Sequence, residues 1–178
     1  MPCGRGIPRP GIAKVKTELF KKAFMTNATL NKFGYPDTLI EDGPCWTVLL
    51  RPAQVTLGSL VLVCKEPVQA FSELSQQAFA DLREMTGRIE RSLRRAFAFD
   101  KINYLMLMMV DPDVHFHVIP RYAQERHFTG TVFSDPGWPG QPDLSQANDV
   151  NDVKREAIRQ HLISNWEGIT LTPKVSDL

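Results

Sequence analysis

The sequence predicts an α+β fold: an antiparallel sheet of about five strands with a long helix packed on it and a further helix near the C-terminus. Three observations lead there. Short β-branched and apolar runs follow one another with turn residues between them, which favours hairpins. A single long segment of helical periodicity interrupts them. Two more strand-like runs follow it.

Taken in order, residues 1–13 (MPCGRGIPRPGIA) combine Gly, Pro and Arg and form an arm rather than a folded element. Val15, Leu19, Ala23 and Phe24 then recur at helical spacing. Residues 37–41, 45–51 (CWTVLLR) and 59–65 (SLVLVCK) read as strands, the first two separated by Asp42-Gly43-Pro44. Residues 75–98 give the clearest helix, capped by Ser75, with Phe79, Leu82, Met85, Ile89, Leu93 and Phe97 on one stripe. Strands over 101–110 and 114–121 flank Asp111-Pro112. Residues 135–143 (DPGWPGQPD) are a loop by composition, and a last helix covers 151–166, opened by Asp149. The organisation expected is an N-terminal arm (1–13), one domain (14–122) and a C-terminal loop-and-helix extension (123–178).

Charge and composition narrow the function. A net charge of +1 provides no global field for nucleic acid or an anionic membrane. The longest apolar run, residues 104–110, is far short of the ~20 residues that span a bilayer. The N-terminus lacks the apolar core of a signal peptide. Three scattered cysteines, Cys3, Cys45 and Cys64, suit a reducing compartment, so the expected location is the cytoplasm. Cys64 lies in an apolar run and reads as core, not as a nucleophile.

Chemistry concentrates in one segment, Asp113-Val-His115-Phe-His117-Val-Ile-Pro-Arg-Tyr122. Side chains alternate along a strand, so Asp113, His115 and His117 share one face while Val114, Phe116 and Val118 enter the core. Two imidazoles and a carboxylate on one face make a poor core, since each buried polar group needs a partner. Imidazole is largely unprotonated and nucleophilic at neutral pH. One His can attack phosphorus while a second, protonated, stabilises the developing charge or assists the leaving group. A metal site is the geometric rival, but residues at i, i+2 and i+4 span roughly 13 Å on a straight strand. His127, in a polar loop, and His161, in the last helix, read as surface or packing residues.

This segment resembles the signature of the histidine-triad (HIT) superfamily, His-φ-His-φ-His-φ-φ, with φ apolar. Phe33-Gly34, Leu39-Ile40, residues 46–51, Leu57-Gly58-Ser59 with its strand, and Phe71-Ser-Glu-Leu74 before the long helix are similar in order to the fragile-histidine-triad branch, over residues 33–122. The resemblance implies a HIT-like sheet, a two-fold homodimer, no cofactor, and a nucleotide or dinucleotide substrate. It implies that His115 attacks the α-phosphate and forms a nucleotidyl-histidine that water cleaves. His117 then contacts the α-phosphate or bridging oxygen, and the backbone carbonyl at 113 orients His115. A His at the last motif position goes with hydrolases; the transferase branch carries Gln there.

The chain departs from that pattern in four places. Asp113 replaces the first motif His. Ser59 stands where the branch has a further His, and Arg51 where it has a ribose-binding Asn. The Gly-Gln loop before the motif is absent. Arg51, Ser59 and Asn103 are the expected nucleotide-binding residues, with Arg51 offering a donor fork to phosphate or ribose. The Asp113 carboxylate is expected to turn from the phosphates and accept from backbone or from an Arg such as Arg121. A catalytically weak nucleotide-binding module and a metal-dependent hydrolase stay open as alternatives.

Overall fold

The computed structural model describes residues 27–168. The arm over 1–13 and the helical spacing of residues 15–24 lie outside the described residues. A short helix, α1 (Ala28–Lys32), leads into β1 (Leu39–Asp42), β2 (Trp46–Leu50) and β3 (Leu60–Cys64). The long helix α2 (Gln76–Phe97) follows, then β4 (Lys101–Leu105) and β5 (His115–Arg121). A hairpin of β6 (Arg126–Phe128) and β7 (Thr131–Phe133) and the helix α3 (Asp152–Ser164) complete the described chain. The strands β1 to β5 form one sheet in the order β1-β2-β3-β5-β4, every neighbouring pair antiparallel. This is the α+β architecture the sequence implies.

Both faces of the sheet are apolar, but unequally so. Val48, Leu50, Leu60, Leu62, Val114 and Val118 point to one side and meet Met85, Ile89, Leu93 and Phe97 of α2. Ile158 and Leu162 of α3 join the same core. The opposite face carries a smaller cluster, Leu49, Val61 and Val63 beneath Leu30 and Phe33. Ser75 caps α2 by accepting from the Ala78 amide at 3.0 Å. Gly58 holds the turn before β3 at φ +80°, and a Cβ there would stand 2.7 Å from the Phe97 ring, so strand and helix end meet through glycine.

The structure shifts several expected boundaries. β4 ends at Leu105, not near 110. Its partner β5 begins at His115, opposite Val63, and the chain beyond leaves the sheet; Met109 is 97% and Val110 81% exposed. Phe79 is not on the buried stripe of α2: it is 42% exposed and stacks edge-on against Phe71, while Ala78 takes the buried position. The last helix is capped by Asn151, which accepts from the Lys154 amide, and not by Asp149. The β6–β7 hairpin has strands of three residues, too short to display an alternation. Its turn sets Thr129 and Gly130 at positive φ. Among the described residues no helix is long and apolar enough to cross a membrane.

Candidate active site

The register of β5 fixes the site. His115 lies opposite Val63 and His117 between Val61 and Leu105, so both imidazoles stand on the face away from α2. Their ring centroids are 5.1 Å apart and the planes nearly perpendicular at 83°. Both are buried, His115 at 0% and His117 at 7% exposure. Phe33, just after α1, packs over both, its ring centroid 6.2 Å from His115 and 5.5 Å from His117.

His115 Nδ1 is 2.7 Å from the backbone carbonyl of Asp113. A carbonyl only accepts, so Nδ1 carries the proton and Nε2 carries the lone pair. That Nε2 is buried without a hydrogen-bond partner. A fixed tautomer with a desolvated, uncommitted lone pair is what a nucleophilic imidazole requires.

The Asp113 carboxylate bonds to α1 and not to Arg121. It accepts from the Thr29 hydroxyl at 3.0 Å and the Thr29 amide at 3.4 Å, both on α1. Two further contacts hold α1 over the site. Its N-cap Asn27 accepts from the Leu30 amide and donates to the Cys64 carbonyl at 3.1 Å. Lys32 pairs with both carboxylate oxygens of Asp111, at 2.7 and 2.8 Å. Asp113 is therefore a tether between the motif strand and the helix that carries Phe33.

His117 is shaped by its surroundings. Burial lowers its pKa, and the neighbouring His115, Arg51 and Lys32 add to the effect, with Asp111 opposing, leaving it at about 4. At neutral pH it is neutral, so it does not supply the protonated second imidazole that the chemistry of paired histidines allows. Positive charge near His117 comes from Arg51 and from Lys32, the latter paired with Asp111. By alternation Arg51 falls on the histidine face with Leu49, its amide bonded to the Ser59 carbonyl at 2.9 Å. Its Nη1 donates to the Ala53 carbonyl, while its Nε is buried without a partner.

Ser59 and Asn103 are placed differently. The Ser59 hydroxyl donates to the Thr56 carbonyl at 2.8 Å and accepts from the Thr56 amide at 3.1 Å, closing the turn before β3. Asn103 accepts from Arg121 Nη1 at 2.9 Å. Arg121 also pairs with Asp135 through two bonds of 2.6 and 3.0 Å, and donates to the Gly140 carbonyl at 3.0 Å. Both charged side chains of this pair are nearly fully buried, so the loop 135–143 is pinned to the end of the sheet. His127 is exposed. His161 Nε2 lies 3.2 Å from the Ala96 carbonyl, its ring between Phe97 and Phe128, a packing position. The Cys64 thiol is buried and pushed up to about 11 by that burial.

Sequence reasoning missed Thr29, Asp111 with Lys32, and Asp135. Only the Asn27 cap, a preferred residue before a run of helix formers, hints at α1 in the sequence. Among the described residues no group of three or more His, Cys, Asp or Glu side chains could hold a metal ion.

Comparison with known proteins fits this geometry. Residues 35–124, half of the chain, match the model of the HIT domain, and the chain belongs to the HIT family. It is similar to a histidine triad protein from Sinorhizobium meliloti, at 22% identity over 77% of this chain and 93% of that one, with a TM-score of 0.61. A histidine triad protein from Bradyrhizobium japonicum gives 21% identity over 78% and 95%, with a TM-score of 0.58. A zinc-bound histidine triad family protein from Mycobacterium smegmatis gives 15% over 79% and 93%, with a TM-score of 0.56. At these identities the likeness is one of fold. No curated protein sequence matches the chain.

Proposed function

We propose that this protein is a nucleotide hydrolase close to the fragile-histidine-triad branch, cleaving at an α-phosphate through a nucleotidyl-histidine. The substrate class is a nucleotide with a phosphate-linked leaving group: a dinucleoside polyphosphate, a phosphoramidate or an adenylated compound. The observation that carries the reading is the bond from His115 Nδ1–H to the Asp113 carbonyl, which leaves Nε2 as the buried lone pair.

The Nε2 lone pair attacks the α-phosphorus, the phosphorus–leaving-group bond breaks, and the leaving group takes a proton from solvent. The imidazole becomes cationic as the N–P bond forms, and its Nδ1–H bond to the carbonyl strengthens. Water then attacks phosphorus and loses a proton to solvent, the N–P bond breaks, and its electron pair returns to Nε2. His117, neutral, contacts the phosphoryl oxygens, and Arg51 supplies the positive charge. Asp113 acts through its carbonyl; Ser59 holds the strand end beside Arg51, and Asn103 reaches the site's edge from β4. The homodimer implied by the family is supported by the free edge of β4, which pairs only with β5 among the described strands, and by the exposed apolar residues beyond it. Free cysteines at 45 and 64 fit a cytoplasmic location.

His115→Ala tests the reading against a panel of these substrates, scored by mononucleotide release. Loss of the nucleophile costs roughly 10³-fold or more in turnover. Residual turnover within tenfold of wild type refutes the mechanism. A second reading, a nucleotide-binding module with weak catalysis, is favoured by the neutral His117 and by the Ser59 hydroxyl being committed to its own turn. Nucleotide that binds but is not turned over at long incubation identifies that case.

A further inference from the structure

The nitrogen on which the proposed chemistry turns is out of reach in this conformation. His115 has no exposed surface, and its Nε2 is buried without a hydrogen-bond partner. A desolvated acceptor with nothing bound to it carries a cost, and a phosphoryl group or water that relieves it must first come within bonding distance. The sheet does not make way, because β5 is paired on both sides, with β3 and with β4.

Among the described residues, what lies over the imidazoles is α1, with Phe33 at its end. Leu30 and Phe33 rest on Leu49, Val61 and Val63, and the Phe33 ring stands against both histidines. This cover is held differently from the other face of the sheet, where α2 lays 22 residues along the main core. α1 has five residues, too few to persist as a helix once detached. Its apolar contacts are those of the smaller cluster, and the rest of its hold is polar. Asn27 donates to the Cys64 carbonyl, Thr29 donates to the Asp113 carboxylate, and Lys32 pairs with Asp111. The last two contacts land on the short segment that leads into the histidines. At the other end the chain leaves Phe33 through Gly34 at φ +83°, a conformation that glycine adopts without strain. A short segment with few apolar contacts, latched by polar bonds and ending on a glycine, opens while the rest of the fold stays intact.

We propose that α1 is a lid with Phe33 as its plug: closed here over His115, latched by Thr29–Asp113 and Lys32–Asp111 and hinged at Gly34, it must swing away before a ligand reaches Nε2. The inference goes beyond the hydrolase reading and does not depend on it, since it concerns access rather than chemistry. Closure lowers apparent affinity by the fraction of molecules that are open, so the latches set how strongly the site binds.

The test is diethyl pyrocarbonate labelling of the full chain at pH 7, with each histidine followed by peptide mass spectrometry. His127, exposed, gives the rate of a free imidazole. His161, packed between Phe97 and Phe128 on the α2 side, reports loosening of the fold as a whole. In wild type His115 should label roughly 10²-fold or more slower than His127. Phe33→Ala and Thr29→Val should each raise the His115 rate about tenfold or more while His161 stays within about twofold. Lys32→Ala, which removes only a partly exposed ion pair, should raise it about two- to threefold. Labelling of wild-type His115 as fast as His127 overturns the inference, since the nitrogen is then open without any motion. Protection that survives both Phe33→Ala and Thr29→Val overturns it too, because something other than α1 then covers the site. So does a rise at His115 matched by an equal rise at His161, which is general unfolding. Each of these outcomes leaves the hydrolase reading to its own test by turnover.

Discussion

On the proposed alignment with the histidine-triad motif Asp113 stands at the first motif position, and Asp113→Asn isolates what the carboxylate does. In the structure the residue has two roles on two groups. Its carbonyl orients His115 at 2.7 Å, and its carboxylate accepts from Thr29 at 3.0 and 3.4 Å. Asparagine keeps the carbonyl and an acceptor oxygen and removes only the charge. A hydrogen bond to a charged group contributes about 1.5–3 kcal/mol and a neutral one about 0.5–1.5, so the loss is about 1 kcal/mol of stability. For a chain of this size that lowers Tm by about 3 °C. Turnover should stay within about threefold of wild type, and the acidic limb of the pH–rate profile should not move, because the Nδ1 contact is untouched. Thr29→Val is the partner experiment. It leaves a half-buried carboxylate without its better donor and should destabilise by about 1–2 kcal/mol. Combined with Asp113→Asn it should cost less than the sum, since the two residues share one interaction. Urea melts and kcat/KM between pH 4.5 and 8 check both. If Asp113→Asn lowers turnover by more than 10²-fold in a folded protein, or shifts the acidic limb by a full pH unit, the carboxylate takes part in the chemistry and its assignment as a tether is wrong.

The other predictions are shorter. His117 has a pKa of about 4 in the folded state against about 6.5 in the unfolded chain, so its contribution to stability is present above pH 6.5 and is lost as pH falls from there to about 4. The loss is on the order of 2–3 kcal/mol by urea denaturation, and a wild-type protein whose dependence over that window matches His117→Gln contradicts it. Asp135→Asn leaves the buried Arg121 charge without its ion pair and should destabilise by about 3 kcal/mol, whereas Arg121→Met with Asp135→Leu should recover much of that; a single variant as stable as wild type rules out the pinned loop.

What could be read from the sequence was what the chain encodes locally. His115 and His117 share a face because they are two residues apart on one strand, and α2 declares itself over six turns of periodicity and a serine cap. The carbonyl that fixes the His115 tautomer was implied by the resemblance to the HIT motif, not by spacing. What stayed hidden is non-local. Thr29 meets Asp113 across 84 positions, and no spacing rule pairs them. The helix that carries Thr29 has five residues, less than two turns, too short for a periodicity. The apolar run over 104–110 misled because hydrophobicity marks burial, and here much of it lies at an exposed loop beyond a sheet edge. The charge state of His117 was equally out of reach, because it depends on burial and on cations brought from β2 and α1.

On the proposed alignment, these facts explain how an Asp at the first triad position leaves the geometry of the other two intact. The group that orients His115 is a main-chain carbonyl, present whatever side chain stands at 113, so the motif constrains backbone position there more than residue type. The side chain is then free to do other work, and in this chain it ties the strand to α1. That tie has an electrostatic consequence. An unpaired carboxylate facing the imidazoles would repel a phosphate and raise the histidine pKa values. Thr29 holds the Asp113 carboxylate against α1 without removing its charge, and the second nearby carboxylate, Asp111, pairs with Lys32. Of the two cations that act on His117, Lys32 is paired with Asp111, and Arg51 makes no ion pair among the described residues. On the proposed reading, attraction of an anionic substrate draws on Arg51, just after β2, rather than on a protonated His117. Affinity for nucleotide should consequently hold nearly constant from pH 8 down to pH 6, a range in which a site relying on a histidinium with an ordinary pKa would gain affinity as it protonates.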